Sequence, residues 1–187
     1  MSNKIHKLGE LFCGPGGIGQ GAKEASVDTQ QGIYRIRHAW ATDIDEDACE
    51  TYRHNLMKDH PEAVICGDIR ELDFEHLKEI SDIDGLTFGF PCNDFSLVGE
   101  QKGINGEYGP LYTYGVKALE YFQPKWFFAE NVSGLRSSNE GEAFQIILES
   151  LEQAGYVITP HLYKFENYGV PQARHRIIVV GIRKDLE

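Results

Sequence analysis

The sequence predicts an α/β fold built on a mostly parallel, seven-stranded sheet with one antiparallel strand and with helices on both faces. Short apolar runs alternate with helical patterns along the 187 residues, and neither an internal repeat nor a Pro/Gly/Ser-rich linker interrupts them. The last two apolar runs are separated by a turn-rich loop instead of a helix, so we expect them to pair antiparallel at one side of the sheet. The length suits a single domain over residues 1–187.

Seven strands are predicted from short apolar runs that are bounded by turn-forming residues. They cover residues 7–13, 35–42, 63–66, 86–90, 126–130, 156–165 and 176–182. In an open parallel sheet, ligands bind beyond the carboxyl ends of the strands. The residues that follow each strand are therefore the first place to look for a functional site.

Helices are predicted in the segments that join these strands. One begins near Ile18, a second follows Asp45 as its N-cap, and a third starts at Pro110, because proline suits the first turn of a helix. The clearest helix ends before Gly155, which is typical of a C-terminal stop. Its apolar residues recur at helical spacing, at Phe144, Ile147, Leu148 and Leu151.

The charge of the chain restricts its function. Asp and Glu number 29 against 18 Lys and Arg, which gives a formal net charge of -11. A protein that binds nucleic acid by itself normally presents a basic face to the phosphates. A role on nucleic acid would therefore need strongly segregated charge or the help of a partner.

The cysteines indicate free thiols. Cys13, Cys49, Cys66 and Cys92 are widely spread, with no C-x-x-C pattern and no paired histidine spacing, so we expect reduced thiols and no metal site. No apolar run is long enough to cross a membrane, and the amino-terminal residues lack the apolar core of a secretory signal. We expect a cytoplasmic protein without membrane contact, in the prokaryotic cytosol or nucleoid.

A glycine-rich stretch, FCGPGGIGQG, follows the first predicted strand. Gly14, Gly16 and Gly19 fit the pattern G-x-G-x-x-G between a strand and a helix. Glycines there let a ligand approach the backbone, and the amides at the start of the helix attract a carboxylate or a phosphate. The pattern leaves open a tight structural turn, a dinucleotide site and an S-adenosylmethionine site.

Two acidic residues follow the next two strands. Asp43, in ATDIDEDA, is placed to accept hydrogen bonds from ribose hydroxyl groups. Asp68, in CGDIREL, could accept from the amino group of adenine, although taken alone it is equally an acid in a solvated loop.

The fourth and fifth strands are followed by a thiol and a carboxyl group. In GFPCNDFS, proline and Asn-Asp favour a loop, which places Cys92 at the mouth of a strand. The alternative is that Cys92 is a buried small apolar residue. In WFFAENVSG, Glu130 and Asn131 follow four apolar residues, so that Glu130 either shares a proton at neutral pH or caps backbone amides.

Two arginines precede the last strand. In PQARHR, Arg174 and Arg176 flank His175, and alternate residues at the start of a strand point the same way. Both guanidinium groups would then face one cleft, with surface ion pairing as the ordinary alternative. His175 is interpreted as a solvated bystander.

These stretches together resemble the DNA cytosine-5 methyltransferase family. ELFCGPGG is similar to D-L-F-x-G-x-G-G, GFPCNDFS to G-x-P-C-Q-x-F-S, and ENV and PQARHR to E-N-V and Q-x-R-x-R. The four motifs occur in order, and the resemblance spans residues 8–183. It implies an S-adenosylmethionine-dependent methyltransferase (Rossmann-like) fold and DNA (cytosine-5-)-methyltransferase activity on double-stranded DNA.

The resemblance also implies roles for individual residues. Cys92 would be the nucleophile that adds to carbon 6 of a flipped-out cytosine, and Glu130 would bind ring nitrogen 3 and the exocyclic amine. Arg176 would hold the carbonyl oxygen at position 2, with Arg174 as an orienting residue. The cofactor would be S-adenosyl-L-methionine, and the product S-adenosyl-L-homocysteine. Its binding residues would be Phe12, Gly14, Gly16, Gly17, Asp43, Ile44, Asp68, Ile69, Pro91 and Leu111.

Three features depart from the family pattern. Asn93 stands where the family usually has glutamine, and Gly106 and Tyr108 lie in KGINGEYGPL where G-x-x-D-x-R-G-x-L is usual. No stretch matches the family's target-recognition region or its last two motifs. Because the chain is also acidic, we expect the domain to be incomplete by itself and a second subunit to carry the target-recognition domain.

Other functions remain open at this point. A non-catalytic regulatory or binding module of the same fold would not need Cys92, Glu130, Arg174 and Arg176 together. A transfer RNA cytosine-5 methyltransferase would use the same chemistry on another substrate. A nicotinamide oxidoreductase fits the glycine pattern alone. The sequence does not choose between restriction-modification and a regulatory setting.

Overall fold

The computed structural model describes residues 3–90, 111–133 and 142–186 of the chain. The chain divides into two compact units, Met1–Phe88 (unit 1) and Gly89–Glu187 (unit 2). Both units combine strands with helices, which confirms the predicted α/β class.

Unit 1 is built around the parallel strands that carry the glycine-rich loop. Its elements are β1 (Asn3–Leu11), α1 (Gly17–Glu24), β2 (Ser26–Thr29), β3 (Gly32–Asp43), α2 (Glu46–Leu56), β4 (Val64–Cys66), α3 (Phe74–Ile80) and β5 (Gly85–Phe88). Strand β1 lies between β3 and β5 and is parallel to both. Strand β4 pairs parallel with the carboxyl end of β3, and β2 pairs antiparallel with its amino end.

The core of unit 1 covers both faces of its sheet. Four consecutive residues at the end of β1 are buried, and so are all four residues of β5. Consecutive buried residues in a strand require cover on both faces, as is typical of parallel sheets. The cover includes helix side chains that are fully buried, namely Tyr52 of α2 and Leu77 of α3.

Unit 2 is an antiparallel arrangement. Its elements are α4 (Tyr112–Phe122), β6 (Trp126–Val132), α5 (Glu142–Gln153), β7 (Tyr156–Lys164) and β8 (His175–Arg183). Strand β8 lies between β6 and β7 and is antiparallel to both. The rings of Phe127 and Tyr156 pack edge to face with centroids 5.1 Å apart, and the Tyr156 hydroxyl donates to the Pro124 carbonyl at 2.8 Å.

All seven predicted strands are present, and the structure adds an eighth, β2. The prediction missed β2 because its four residues are all exposed and show no apolar alternation. The first strand ends at Leu11 and not at Cys13, because Phe12 has φ 53 and leaves the extended conformation. The final two strands pair antiparallel as predicted.

The predicted helix ends are largely confirmed. The Asp45 side chain caps α2 by accepting from the Ala48 amide at 2.8 Å. Gly155, with φ 100, follows α5 as the predicted stop. Pro110 lies outside the described residues, within which that helix begins at Tyr112. None of the helices in the described ranges is long and apolar enough to span a membrane.

We expect Gly9→Ala to destabilise unit 1. An added Cβ would overlap the ring of Trp40, which is fully buried and cannot move without disturbing the core. Overpacking of this kind costs about 1–3 kcal/mol of the free energy of unfolding. Urea denaturation followed by tryptophan fluorescence measures the loss.

Gly21→Ala is the matched control. Gly21 lies inside α1 with nothing within 4 Å of the added Cβ, so alanine should raise the free energy of unfolding by up to about 1 kcal/mol. Equal stabilities of the two variants would contradict the packing that the structure shows at Gly9.

Candidate functional site

The loop between β1 and α1 has an unusual backbone. Phe12, Gly14 and Gly16 have φ values of 53, 52 and 98, all in the left-handed region. Phe12 is the costly member of the three, because a side chain disfavours this region. Strained residues of this kind cluster at ligand-binding sites. The loop is held by hydrogen bonds from the Cys13 amide to the Thr42 carbonyl at 3.0 Å and from the Gly16 amide to the Cys13 carbonyl at 3.1 Å.

The glycines of this loop have two different surroundings. A Cβ on Gly14 or Gly17 would meet nothing within 4 Å, so both leave open space beside the backbone. A Cβ on Gly16 would instead lie 3.1 Å from a ring carbon of Tyr52, and one on Gly19 would lie 2.8 Å from the Tyr52 hydroxyl. Gly14 and Gly17 therefore fit a ligand that approaches the backbone, whereas Gly16 and Gly19 are glycines because α2 packs against them.

Asp43 joins this loop to the start of α2. One oxygen of its carboxylate accepts from the Gly14 amide at 2.7 Å, and the other accepts from the Asp45 amide at 3.0 Å. Each carboxylate oxygen can accept one more hydrogen bond, which leaves capacity for ribose hydroxyl groups. The next residue, Ile44, is 69% exposed and offers an apolar surface beside the carboxylate. Open glycines, an acceptor and an apolar side chain together fit a nucleoside ligand.

Asp68 has a partner that the sequence analysis did not foresee. Its carboxylate forms an ion pair with the Arg70 guanidinium and accepts from the Arg70 amide at 2.9 Å. The side-chain hydrogen bond from Arg70 lowers the pKa of Asp68 to about 2. Asp68 is therefore a charged acceptor whose second partner would have to share it with Arg70. The side chain of Ile69 is buried.

A buried polar network lies behind the glycine-rich loop. Glu10 is 1% exposed, and its carboxyl group accepts from the Tyr52 hydroxyl at 2.8 Å. The Tyr52 oxygen is also 2.9 Å from Nδ1 of His38. Burial raises the pKa of Glu10 to about 7 and lowers that of His38. The sequence analysis missed this network, although an acid inside the apolar run LGELF was its signal.

Glu130 and Arg176 form an ion pair in unit 2. The Arg176 Nε lies 2.7 Å from a carboxylate oxygen of Glu130, and the two side chains are 18% and 22% exposed. Arg176 is paired in register with Val132, which points to the same face of the sheet as Glu130. The two charged groups are thus diagonal neighbours on one face.

The opposite face of the same strand anchors the chain before the predicted nucleophile. Asn131, 4% exposed, donates from its side-chain nitrogen to the Phe90 carbonyl at 3.1 Å. A Cβ on Gly89 would lie 3.5 Å from the second carboxylate oxygen of Glu130, so the backbone at Gly89 passes beside this acid. Phe90 precedes Pro91 and Cys92, which lie outside the described residues.

The remaining predicted residues are less well supported. Arg174 is exposed and precedes β8, so the alternation argument that paired it with Arg176 does not apply. The ring of His175, which was interpreted as a solvated bystander, is partly exposed and lies 2.7 Å from Glu166. Leu111 is half-buried just before α4. Three further predictions, on Asn93, Gly106 and Tyr108, also fall outside the described residues.

The described cysteines are free thiols, as predicted for Cys13, Cys49 and Cys66. Within the part of the chain that the structure describes, no group of three or more His, Cys, Asp or Glu residues could hold a metal ion.

Similarity to solved structures defines the class of fold. The Schizosaccharomyces pombe Dnmt2 methyltransferase matches with a TM-score of 0.70 at 20% identity, over 97% of this chain and 50% of that one. A Spodoptera frugiperda DNMT2 mutant matches with a TM-score of 0.72 at 23% identity, over 97% and 51%. The predicted S-adenosylmethionine-dependent methyltransferase fold is confirmed.

Within that class, the chain belongs to the C-5 cytosine-specific DNA methylase family, whose pattern matches residues 6–187. It is 61% identical to the Type II methyltransferase M.BbvI of Brevibacillus brevis, over 96% of this chain and 50% of that protein. It is 37% identical to M.NgoFVII of Neisseria gonorrhoeae, over 98% and 45%. The chain thus spans about half the length of the curated relatives it matches.

We expect the buried carboxyl group of Glu10 to make unit 1 less stable as the pH rises. Its pKa of about 7 in the folded chain lies above the ordinary value of 4.5, so the folded state holds a proton that the unfolded state has lost. This difference in pKa corresponds to about 3 kcal/mol of the free energy of unfolding. That stability is present at low pH and is lost as the pH rises through the folded pKa. Glu10→Gln removes this dependence.

The measurement is the free energy of unfolding of both proteins between about pH 5 and about pH 9. Over this pH range, the free energy of unfolding of Glu10→Gln should rise by about 2–3 kcal/mol relative to that of the unchanged chain. Glu24→Gln, at an exposed position of α1, is the control and should show no such trend. Parallel pH profiles for Glu10→Gln and the unchanged chain would mean that Glu10 is not buried as described.

Proposed function

We propose that this chain is the catalytic part of a DNA (cytosine-5-)-methyltransferase. It would transfer a methyl group from S-adenosyl-L-methionine to carbon 5 of cytosine in double-stranded DNA. The observation that carries this proposal is the Glu130–Arg176 ion pair on one face of β6, with the Phe90 carbonyl anchored to Asn131 of the same strand.

The ion pair offers complementary groups to the edge of a cytosine ring. That edge presents a carbonyl oxygen at position 2, an acceptor nitrogen at position 3 and an amine at position 4. The guanidinium of Arg176 donates to the oxygen, and the carboxyl group of Glu130 accepts from the amine and shares a proton with nitrogen 3. When a base binds, its hydrogen bonds to Glu130 and Arg176 would replace part of the ion pair. Both side chains are already positioned on one face, so little reorganisation is needed.

Cys92 is the proposed nucleophile. It follows the anchored Phe90 by two residues in the sequence. The thiolate forms a bond to carbon 6, and the ring electrons move toward nitrogen 3, where Glu130 supplies the proton. Carbon 5 then accepts the methyl group and loses its proton, and Cys92 leaves with its electron pair. Because a stacked cytosine cannot reach a thiol, the base must be flipped out of the duplex.

The residues after β1 and β3 fit the cofactor. S-adenosyl-L-methionine supplies an activated methyl group on a sulfonium and becomes S-adenosyl-L-homocysteine. The open backbone at Gly14 and Gly17 accommodates its methionine part, Asp43 accepts from the ribose, and Ile44 covers a face of the adenine. Pro91, Leu111, Asp68 and Ile69 complete the set that the family resemblance implies.

We infer that a second subunit recognises the DNA target. A net charge of -11 opposes binding to a polyanion. One face of the unit 2 sheet also carries exposed apolar side chains, with Val157 and Ile182 paired in register and Val180 beside them. An apolar surface of the second subunit would cover this face. The assembled enzyme would work in the prokaryotic cytosol or nucleoid.

A covalent trap tests the proposed chemistry. A duplex that carries 5-fluorocytosine should form an adduct with the chain in the presence of S-adenosyl-L-methionine, because fluorine at carbon 5 blocks the loss that would release Cys92. The adduct is detected as a band that survives denaturing electrophoresis. Cys92→Ala should abolish it, whereas Cys66→Ala, at a cysteine that is exposed, should not.

The trap is run with the separately produced second half of the Brevibacillus brevis relative, so that a missing DNA-binding part does not mask the chemistry. An adduct on transfer RNA and none on duplex DNA would mean that the substrate is RNA. No adduct on either nucleic acid would favour a non-catalytic module and contradict the proposal.

Complementation tests the proposed second subunit. Alone, the chain should protect no specific site from methylation-sensitive cleavage. Together with the second half of the Brevibacillus brevis relative, it should protect defined sites at least about tenfold better, a gain of at least about 1.4 kcal/mol. Sequence-specific methylation by the isolated chain would contradict the second-subunit proposal and leave the proposed chemistry intact.

A further inference from the structure

Two cysteine thiols contact the carbonyl groups of adjacent residues at the turn that carries Asp43 and Ile44. Cys66 ends β4 and is paired in register with Asp43 of β3, and Cys49 lies at the start of α2. The Cys49 thiol donates to the Asp43 carbonyl at 3.5 Å, and the Cys66 thiol donates to the Ile44 carbonyl at 3.8 Å. Both thiols therefore lie at the same turn.

The elements that carry the two thiols are fixed to each other. The guanidinium of Arg53, one turn further along α2, donates to the Val64 carbonyl of β4 at 2.6 Å and to the Pro61 carbonyl at 3.3 Å. The two thiols are therefore held at the same turn without a covalent link.

The two thiols differ in access. Cys66 is exposed, whereas Cys49 is fully buried. Burial, together with the contact to Cys66, raises the pKa of the Cys49 thiol to about 12. Cys66 is thus the thiol that meets a reagent from solution, and Cys49 can react only with a partner already bound to Cys66.

We propose that Cys49 and Cys66 are a modification site, which a small-molecule disulfide such as oxidised glutathione converts to an intrachain disulfide that weakens nucleoside binding at Asp43 and Ile44. Formation of the bond stands on the thiol geometry alone. Its effect on binding rests on the proposed cofactor role of the turn.

The chemistry balances in two exchanges. The Cys66 thiolate attacks one sulfur of the oxidised glutathione, which forms a mixed disulfide and releases a glutathione thiolate. The Cys49 sulfur then attacks the Cys66 sulfur and releases the second glutathione. The two thiol protons end on the two glutathione molecules, so that the chain loses two hydrogens and two electrons and the glutathione gains them.

The disulfide would change the turn in two ways. A sulfur–sulfur bond is about 2.05 Å long, so the end of β4 and the start of α2 must move together. Neither sulfur then carries a hydrogen, so the carbonyl groups of Asp43 and Ile44 each lose the hydrogen bond from a thiol. These carbonyl groups belong to the two residues that would hold the ribose and the adenine. The altered turn should therefore bind a nucleoside less well.

The test uses the full chain with Cys92→Ser, which removes the proposed catalytic thiol from the exchange. After treatment with oxidised glutathione, intact mass should fall by two hydrogen atoms, and a proteolytic digest should contain a peptide pair that joins Cys49 and Cys66. Calorimetric titration with S-adenosyl-L-homocysteine should show binding weakened about tenfold. Dithiothreitol should restore both the mass and the affinity.

Cys66→Ser in the same background is the matched control, because serine keeps a donor for the Ile44 carbonyl but cannot form the bond. Its affinity should not respond to the oxidant. No disulfide, or one that joins Cys13 to Cys49, would overturn the proposal. A Cys49–Cys66 disulfide that leaves the affinity unchanged would overturn its effect on binding. If the disulfide forms but the reduced chain fails to bind S-adenosyl-L-homocysteine, the modification site stands and the proposed cofactor role fails.

Discussion

The carboxylate of Asp43 is the interaction on which the loops of unit 1 depend. Its two oxygens accept from the Gly14 and Asp45 amides, which ties the loop after β1 to the start of α2. Its main-chain carbonyl accepts from the Gly67 amide at 2.9 Å and from the Cys49 thiol, which ties in the end of β4. One residue thus fixes three strand ends. The loops proposed to hold the cofactor are positioned by contacts within the protein, so binding need not order them.

Strand β6 has a similar positioning role in unit 2, because its side chains alternate between the two faces of the sheet. Successive side chains of a strand point to opposite faces. Glu130 therefore reaches Arg176 on one face, while Asn131 on the other holds the Phe90 carbonyl. A charged pair that recognises a base and an anchor for the chain that leads to Cys92 can both come from two adjacent residues. A motif as short as E-N-V can therefore supply several contacts of the proposed active site.

In the glycine-rich loop, some glycines are needed for packing and another leaves space for the proposed ligand. Gly14 leaves open space, whereas Gly16 and Gly19 leave room for Tyr52. Tyr52 in turn donates to the buried Glu10. A buried acid with a pKa of about 7 costs stability in its charged form. Its hydrogen bond with Tyr52 joins β1 to α2 behind the glycine-rich loop and so helps to fix that loop.

The sequence by itself determined the α/β class, the seven strands expected, the cap at Asp45 and the candidate residues at the strand ends, because periodicity, caps and motifs are local patterns. Only the tertiary structure decided which of these residues meet. The Glu130–Arg176 ion pair and the neighbouring thiols of Cys49 and Cys66 join residues that are far apart in the chain, so they depend on strand register and on how helices pack. Strand β2 was missed for a related reason, since it is held by its pairing with β3 and not by an apolar pattern of its own.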